Sequence, residues 1–417
     1  MMRFFAKKSV LVHLILLRFR ASYLGSSEQI VNLKRGHKKW RNNSSTKKIL
    51  IVGMSESPHL ETWIKGLAES GITKTIWLFP SDLPTRKLRV ENLTIKQFPY
   101  SPVNQVTRIV FKGFDLLTKR LWRSYFLYIE IKRIKPTHIH FHETQHGAYI
   151  YNPISRHPKN SFSGKLILST WGSDLIVYGK SESHSHQIKQ VLSWVQLLTS
   201  ERTEDFEVAI SNGFKGNFMA PIYITVGQCD FQSQAIKTSE RHEVLIKGYQ
   251  DNHGRALNAL AAIEQLAHQI DLRRYQFRIF SASAPVVLRS EIMRTDLGLD
   301  VQVLPRMSKS ELMNHFKSAR IYIGLAISDG LSTAMVEAMN YGAFPIQSLN
   351  SAAPKFLTNT VSGGIVDPWD LDKIVSLLRL ALEEDDLVNS AATTNLETLK
   401  RKYRWDIGII KLIEIYT

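Results

Sequence analysis

The residues best suited to chemistry lie in the loop Ser328-Asp329-Gly330-Leu331 and the helix-like run after it. The segment Ala319 to Ser348 reads as strand, loop, helix, glycine stop and strand. Ser332 or Thr333 can cap the helix, and Gly330 allows close approach of backbone to a ligand. The amides of Gly330, Leu331, Ser332 and Thr333, together with the helix dipole, favour an anion such as a pyrophosphate. Glu337 stands about one turn into the helix, and its side chain leans back toward the N-terminus. That direction puts a ribose hydroxyl beside the pyrophosphate within its reach. Asp329 stands at the loop mouth, near any group being transferred. A plainer reading fits the same letters: Ser332 only caps a helix and Glu337 lies on a solvated face.

Other segments add candidates. In VLIKGYQDNHGRAL, Lys247 and Arg255 flank a strand-to-helix loop. Either cation stabilises a departing phosphate, Arg in bidentate fashion. IVGMSESPHLETW offers Gly53 as a close-approach position and His59 as a sugar or phosphate contact. HIHFHETQHGAY alternates His138, His140 and His142, which a strand points to one face, and Glu143 follows at the strand end. No fourth ligand stands at a recognisable spacing, so a metal is not expected there. TWGSDL supplies Asp174, as an acceptor-side group or as a helix N-cap. The single cysteine, Cys229, allows no disulfide framework and no multi-cysteine metal site.

The elements that must position these residues alternate between strand and helix from Lys47 onward. KKILIVG, TIWLF, LTIKQF, THIHFH and KLILST read as strands of a first half. EVLIKG, QFRIFSA, VQVLP, ARIYIGLA, AFPIQS and GGIVDP read as strands of a second half, with a junction near residues 227–242. Such alternation predicts parallel α/β architecture. Ligands of open α/β sheets bind beyond the carboxyl ends of the strands, so two facing sheets would hold the site in the cleft between them.

The Asp329-to-Glu337 segment resembles the Glu-x7-Glu region of the family 4 retaining glycosyltransferases. Asp stands here where that family usually has Glu. The resemblance covers most of Lys47 to Trp405 and is strongest in the second half. It implies the GT-B fold: two facing Rossmann-like domains with an interdomain cleft. Residues 47–228, joined by a C-terminal helix at 404–417, would form the acceptor domain, and 229–403 the nucleotide-sugar donor domain. Residues 1–46 would be a basic, poorly ordered extension. By the same resemblance Glu337 takes the ribose and Asp329 faces the donor sugar. Lys247 and Arg255 neutralise the diphosphate, in the reverse of the family's usual order. Gly53 faces the donor, and His142 and Glu143 face the cleft. Gly172 replaces a sugar-contacting His of some members, and Trp405 is a packing residue. The implied activity is sugar transfer with retention from a nucleotide-sugar to a hydroxyl on a glycan or lipid-linked acceptor, in surface polysaccharide or glycolipid assembly. No cofactor and no metal are implied. The alternative is a catalytically weak GT-B homologue acting as a membrane-associated binding or scaffold protein.

Composition narrows the classes further. The 417 residues are 44% hydrophobic and 22% charged, as in folded globular proteins. The net charge of +17 is uneven. Residues 1–135 hold 26 Lys and Arg against eight acids, while residues 136–417 hold 28 against 29. A nucleic-acid partner is not expected, because the second half is neutral and carries no such motif. The basic, aromatic stretch from Val106 to Lys135, including Arg120 and Arg123, reads as a helix suited to an anionic membrane surface. It reads equally as a core-facing helix with a solvated basic side. The apolar run Val10 to Leu17 is too short to span a bilayer. A cytoplasmic location is expected, peripheral on the cytoplasmic membrane face.

Overall fold

The computed structural model describes residues 47–417 except 83–85, 99–104, 119, 161, 220, 225–228, 230 and 232–235. The expectation for residues 1–46 lies outside the described residues.

Two parallel sheets organise the chain. The first contains β1 (Ile49–Gly53), β2 (Thr75–Pro80), β3 (Thr94–Gln97), β4 (His138–His142), β5 (Lys165–Thr170), β6 (Leu197–Ser200) and β7 (Asn217–Met219), in the order β3-β2-β1-β4-β5-β6-β7. The second contains β8 (Glu243–Lys247), β9 (Gln276–Phe280), β10 (Asp300–Val303), β11 (Ala319–Gly324), β12 (Phe344–Ser348) and β13 (Gly364–Val366), in the order β10-β9-β8-β11-β12-β13. Both are doubly wound. The strand order reverses between β1 and β4 in one sheet and between β8 and β11 in the other. Those reversal points, at the carboxyl ends, are where such sheets open a crevice for ligands.

The central strands are buried along nearly their whole length because helices cover both faces. All five residues of β1 and all six of β11 are buried. Helix ends follow local chemistry. Ser57 caps the Pro58–Ser70 helix by accepting from the Leu60 amide, Pro58 opens it, and Gly71 closes it at φ 65°. The Lys309–Ser318 helix begins with a complete capping box between Ser308 and Glu311.

The last helix, Trp405–Ile415, lies on the Pro58–Ser70 helix. Gly66 admits Leu412, Ile409 and Ile224 at their closest approach. A buried polar chain then ties the C-terminus to the first sheet. Trp63 Nε1 donates to the Tyr416 hydroxyl (3.2 Å), which shares a hydrogen bond with His140 Nδ1 (2.6 Å), and His140 Nε2 shares one with Ser169 Oγ (2.8 Å).

The long Val106-to-Lys135 stretch is two helices, Gln105–Thr118 and Leu121–Ile134, not one. The break follows from Asp115. Its carboxylate accepts from Trp122 Nε1 (2.7 Å) and Arg123 Nε (2.9 Å), while Arg120 turns left-handed at φ 64° to bring them round. Arg123 is therefore buried, bound to Asp115 and to the Ser81 carbonyl, and presents no charge to a membrane. Three of the aromatics turn inward as well, Phe111 stacking on Trp122 at 5.5 Å and Trp122 meeting Phe126 edge-on, while Tyr125 stays 56% exposed. The surface of this pair also carries an aliphatic patch, with Leu116 82% and Leu117 80% exposed beside Ile109 and Leu121.

Candidate active site

The site grows from the carboxyl ends of β8 and β11, on either side of the second reversal point. Strand β8 ends at Lys247, and β11 runs out at Gly324 into the loop that carries Asp329. Lys247 Nζ lies 3.4 Å from Asp329 Oδ2 and 5.3 Å from the Tyr249 ring centre. Burial works against the Lys247 charge, but Asp329, Tyr322 and Tyr249 more than offset it and hold its pKa above the ordinary lysine range. The cation is thus fixed at neutral pH beside the loop.

Past Asp329 the chain enters the Thr333–Asn340 helix. Ser332 caps it, accepting from the Met335 amide. The first amides of a helix have no acceptor within it, and Thr333 Oγ1 is buried without a partner among the described residues. Glu337 points back along this helix, 14% exposed, and pairs with Lys309 Nζ at 3.2 Å. Burial raises its pKa and Lys309 counteracts the rise.

Arg255 does not join Lys247. Its loop does lie against the Asp329 loop, since the Arg255 amide donates to the Leu325 carbonyl (2.9 Å) and the Ile327 amide to that of His253 (2.9 Å). The guanidinium instead lies over the Trp369 ring at 4.8 Å and donates to the carbonyls of Asp251 and Gly254. Cys229 stands near Glu337 and Lys309; burial pushes its thiol up to about 12, which leaves it unreactive.

The first-sheet candidates gather on Trp171. His59 and His142 approach its ring at 5.3 Å and 5.4 Å. Asp174 accepts from the Trp171 amide (2.8 Å), the Thr144 amide (2.6 Å) and the Thr144 hydroxyl (3.1 Å), so it staples two cleft loops together. Glu143 holds a left-handed backbone at φ 67°. Burial, then Asp174 and Asp82, push its carboxyl well above the usual range. His142 is buried with neither ring nitrogen partnered among the described residues, and burial lowers its pKa to about 3. Gly53 leaves room for Leu60 and the His142 Cβ, so its missing side chain serves packing. Among the described residues no group of three His, Cys, Asp or Glu could hold a metal ion.

The two halves meet over the Asp329 loop. Gly172, at φ 107°, packs on the Asp329–Gly330 peptide so tightly that a Cβ there would collide with it. Ser328 Oγ donates to the Gly172 carbonyl (3.2 Å). Glu201, the first residue after β6, accepts from the Leu331 amide (2.7 Å), and Arg202 donates to the Asn350 carbonyl (3.1 Å). Sequence reasoning missed Glu201, Arg202 and Lys309. The signal for the first two was the charged run ERTED directly after the short apolar segment LLTS.

Comparison with known proteins agrees with this geometry. Residues 237–396 match the family model described as glycosyl transferases group 1. No curated protein sequence matches. Solved structures of similar shape include sucrose-phosphate synthase from Thermosynechococcus elongatus (12% identity, 89% of this chain and 98% of that one, TM-score 0.67). A second is described as trehalose-6-phosphate from E. coli bound with UDP-2-fluoro glucose (12% identity, 88% and 99%, TM-score 0.66). A third is a trehalose-6-phosphate synthase studied for glycosyltransfer with retention (13% identity, 89% and 99%, TM-score 0.65). Residues 237–396 thus match the glycosyl transferases group 1 domain, and the chain around them has the GT-B fold.

Proposed function

We propose that the protein moves a sugar, with retention of anomeric configuration, from a nucleoside-diphosphate sugar to a hydroxyl of a glycan or lipid-linked acceptor. The observation that carries this is the grouping of Lys247, Asp329, the Leu331-to-Thr333 backbone and Glu337 at one reversal point of the second sheet. Glu337 takes the ribose hydroxyls. The amides ahead of the helix and the Lys247 ammonium take the diphosphate, and Asp329 orients the sugar.

In the transfer, the bond from the sugar's anomeric carbon to the diphosphate oxygen breaks. A bond from that carbon to the acceptor oxygen forms, and the acceptor's proton passes to the departing phosphate. Lys247, held charged by Asp329, stabilises the negative charge that builds on the leaving group. No metal or cofactor is assigned a role. The acceptor enters from the first half, past His59, His142, Glu143 and Asp174. The likeness to a structure holding UDP-2-fluoro glucose supports a nucleotide-sugar donor. That to a synthase studied for retention supports the stereochemistry. The expected setting is surface polysaccharide or glycolipid assembly on the cytoplasmic membrane face. The exposed aliphatic tip formed by Leu116, Leu117 and Leu121, beside the exposed Arg120, supports contact with an anionic membrane. Among the described residues no helix is long and apolar enough to cross a membrane.

The test is a panel of nucleotide sugars with product detection and NMR of the new anomeric centre. A product whose anomeric configuration is inverted relative to the donor removes the retaining assignment. Failure of every donor to bind removes the reaction class.

A further inference from the structure

The amide assigned above to the donor already has an anionic occupant. Glu201 Oε2 accepts from the Leu331 N–H at 2.7 Å. The carboxylate is buried, and it reaches the loop from the first half of the chain. It lies where a Gly330 side chain would project, so Gly330 is bare on the side that Glu201 fills. From the neighbouring strand end Gly172 closes on the Asp329–Gly330 peptide, and Arg202 anchors to Asn350. The Leu331 amide has one hydrogen to give, and a phosphate oxygen and Glu201 cannot both receive it in line.

We infer that Glu201 is an internal stand-in for the donor diphosphate: it occupies the Leu331 amide when no donor is bound and competes with the donor for it. The inference rests on the donor-site reading above and adds to it the residue that sets donor affinity. Like-charge repulsion reinforces the competition, because a diphosphate arriving at the loop meets a carboxylate in a poorly screened position. Donor entry displaces the Glu201 carboxylate from the Leu331 amide. Donor binding and loss of the Glu201–Leu331 contact are therefore one equilibrium. A protein lacking the competing charge binds the donor phosphates more tightly.

Glu201→Gln tests this in the full chain with little change of shape. A neutral acceptor holds the amide about half as strongly as a carboxylate. The difference of about 1.4 kcal/mol corresponds to about tenfold in affinity. Glu201→Ala removes the acceptor altogether and serves as the second variant. UDP, GDP, ADP and inorganic pyrophosphate are titrated calorimetrically into wild type and both variants, and Leu331 amide exchange is followed without ligand. The expected result is about tenfold tighter binding of at least one probe by the Gln variant, with faster Leu331 exchange in both variants. Equal or weaker binding by the variants overturns the competition while leaving the donor site standing. Unchanged Leu331 exchange in the Ala variant overturns the contact itself. If no probe binds any of the three proteins, the donor-site reading fails and the inference with it.

Discussion

Glu337→Ala separates a ligand-holding role from a structural one. Two ribose hydroxyls donating to this carboxylate would each form a hydrogen bond to a charged group, worth about 1.5–3 kcal/mol. Losing both with partial compensation by water weakens a nucleoside diphosphate by about 2–4 kcal/mol, or roughly 30- to 1000-fold. The structural loss is small. Among the described residues the ion pair removed is with Lys309, whose side chain is 72% exposed, and pairs of that kind contribute about 0–1 kcal/mol. Alanine also favours a helix, and the burial penalty that raises the Glu337 pKa disappears. The variant should therefore melt within a few degrees of wild type. Isothermal titration and thermal melting of the two proteins, with UDP, GDP and ADP, read both quantities. Undiminished affinity would refute the ribose assignment. A large fall in melting temperature would show that the carboxylate serves the fold instead. In wild type, affinity should also fall on acidification at a higher pH than an ordinary glutamate would give, because the carboxylate must be ionised to accept from both hydroxyls.

Three further outcomes follow from the geometry. His142 has a folded pKa of about 3 against the ordinary 6.5. Between those values the unfolded chain binds a proton that the folded chain does not, so stability is complete above pH 6.5 and falls as the pH drops. Between pH 6.5 and pH 5 the loss is about 2 kcal/mol. Urea midpoints of wild type and His142→Phe at pH 7 and pH 5 should show less acid sensitivity in the variant by about that amount. Gly172→Ala places a Cβ on the Asp329–Gly330 peptide at a left-handed backbone position. It should destabilise the chain by about 1–3 kcal/mol, and wild-type melting in that variant would mean the two loops do not touch. Leu116→Asp with Leu117→Asp should reduce sedimentation with phosphatidylserine vesicles at least tenfold. Unchanged vesicle binding by that double variant would remove the membrane assignment.

The second sheet was readable because its strands are buried runs set between strong helical patterns and glycine stops. Each of β8 to β13 corresponds to an apolar segment in the sequence. The first sheet was readable up to β5. Strands β6 (LLTS) and β7 (NFM) were not read, because LLTS follows the SWVQ end of a helix with no turn signal between them and NFM lacks a β-branched run, and missing β6 meant missing Glu201 at its end. Arg255 shows a different limit. Its place in a strand-to-helix loop was legible, but its direction is set by Trp369, which is far away in sequence and offers a ring face at 4.8 Å. The break at Arg120 was hidden for a similar reason. It depends on one carboxylate, Asp115, collecting Trp122 and Arg123 of the next helix, and neither propensity nor amphipathicity records that contact.

The central claim is that the loop from Asp329 to Glu337 receives a nucleoside-diphosphate sugar. Amide hydrogen exchange of the full chain, with and without each member of a nucleotide-sugar panel, tests it most directly. The account predicts that at least one member slows exchange across residues 329–337 and around Lys247. Binding that leaves those residues unprotected, or no binding by any member of the panel, would contradict it.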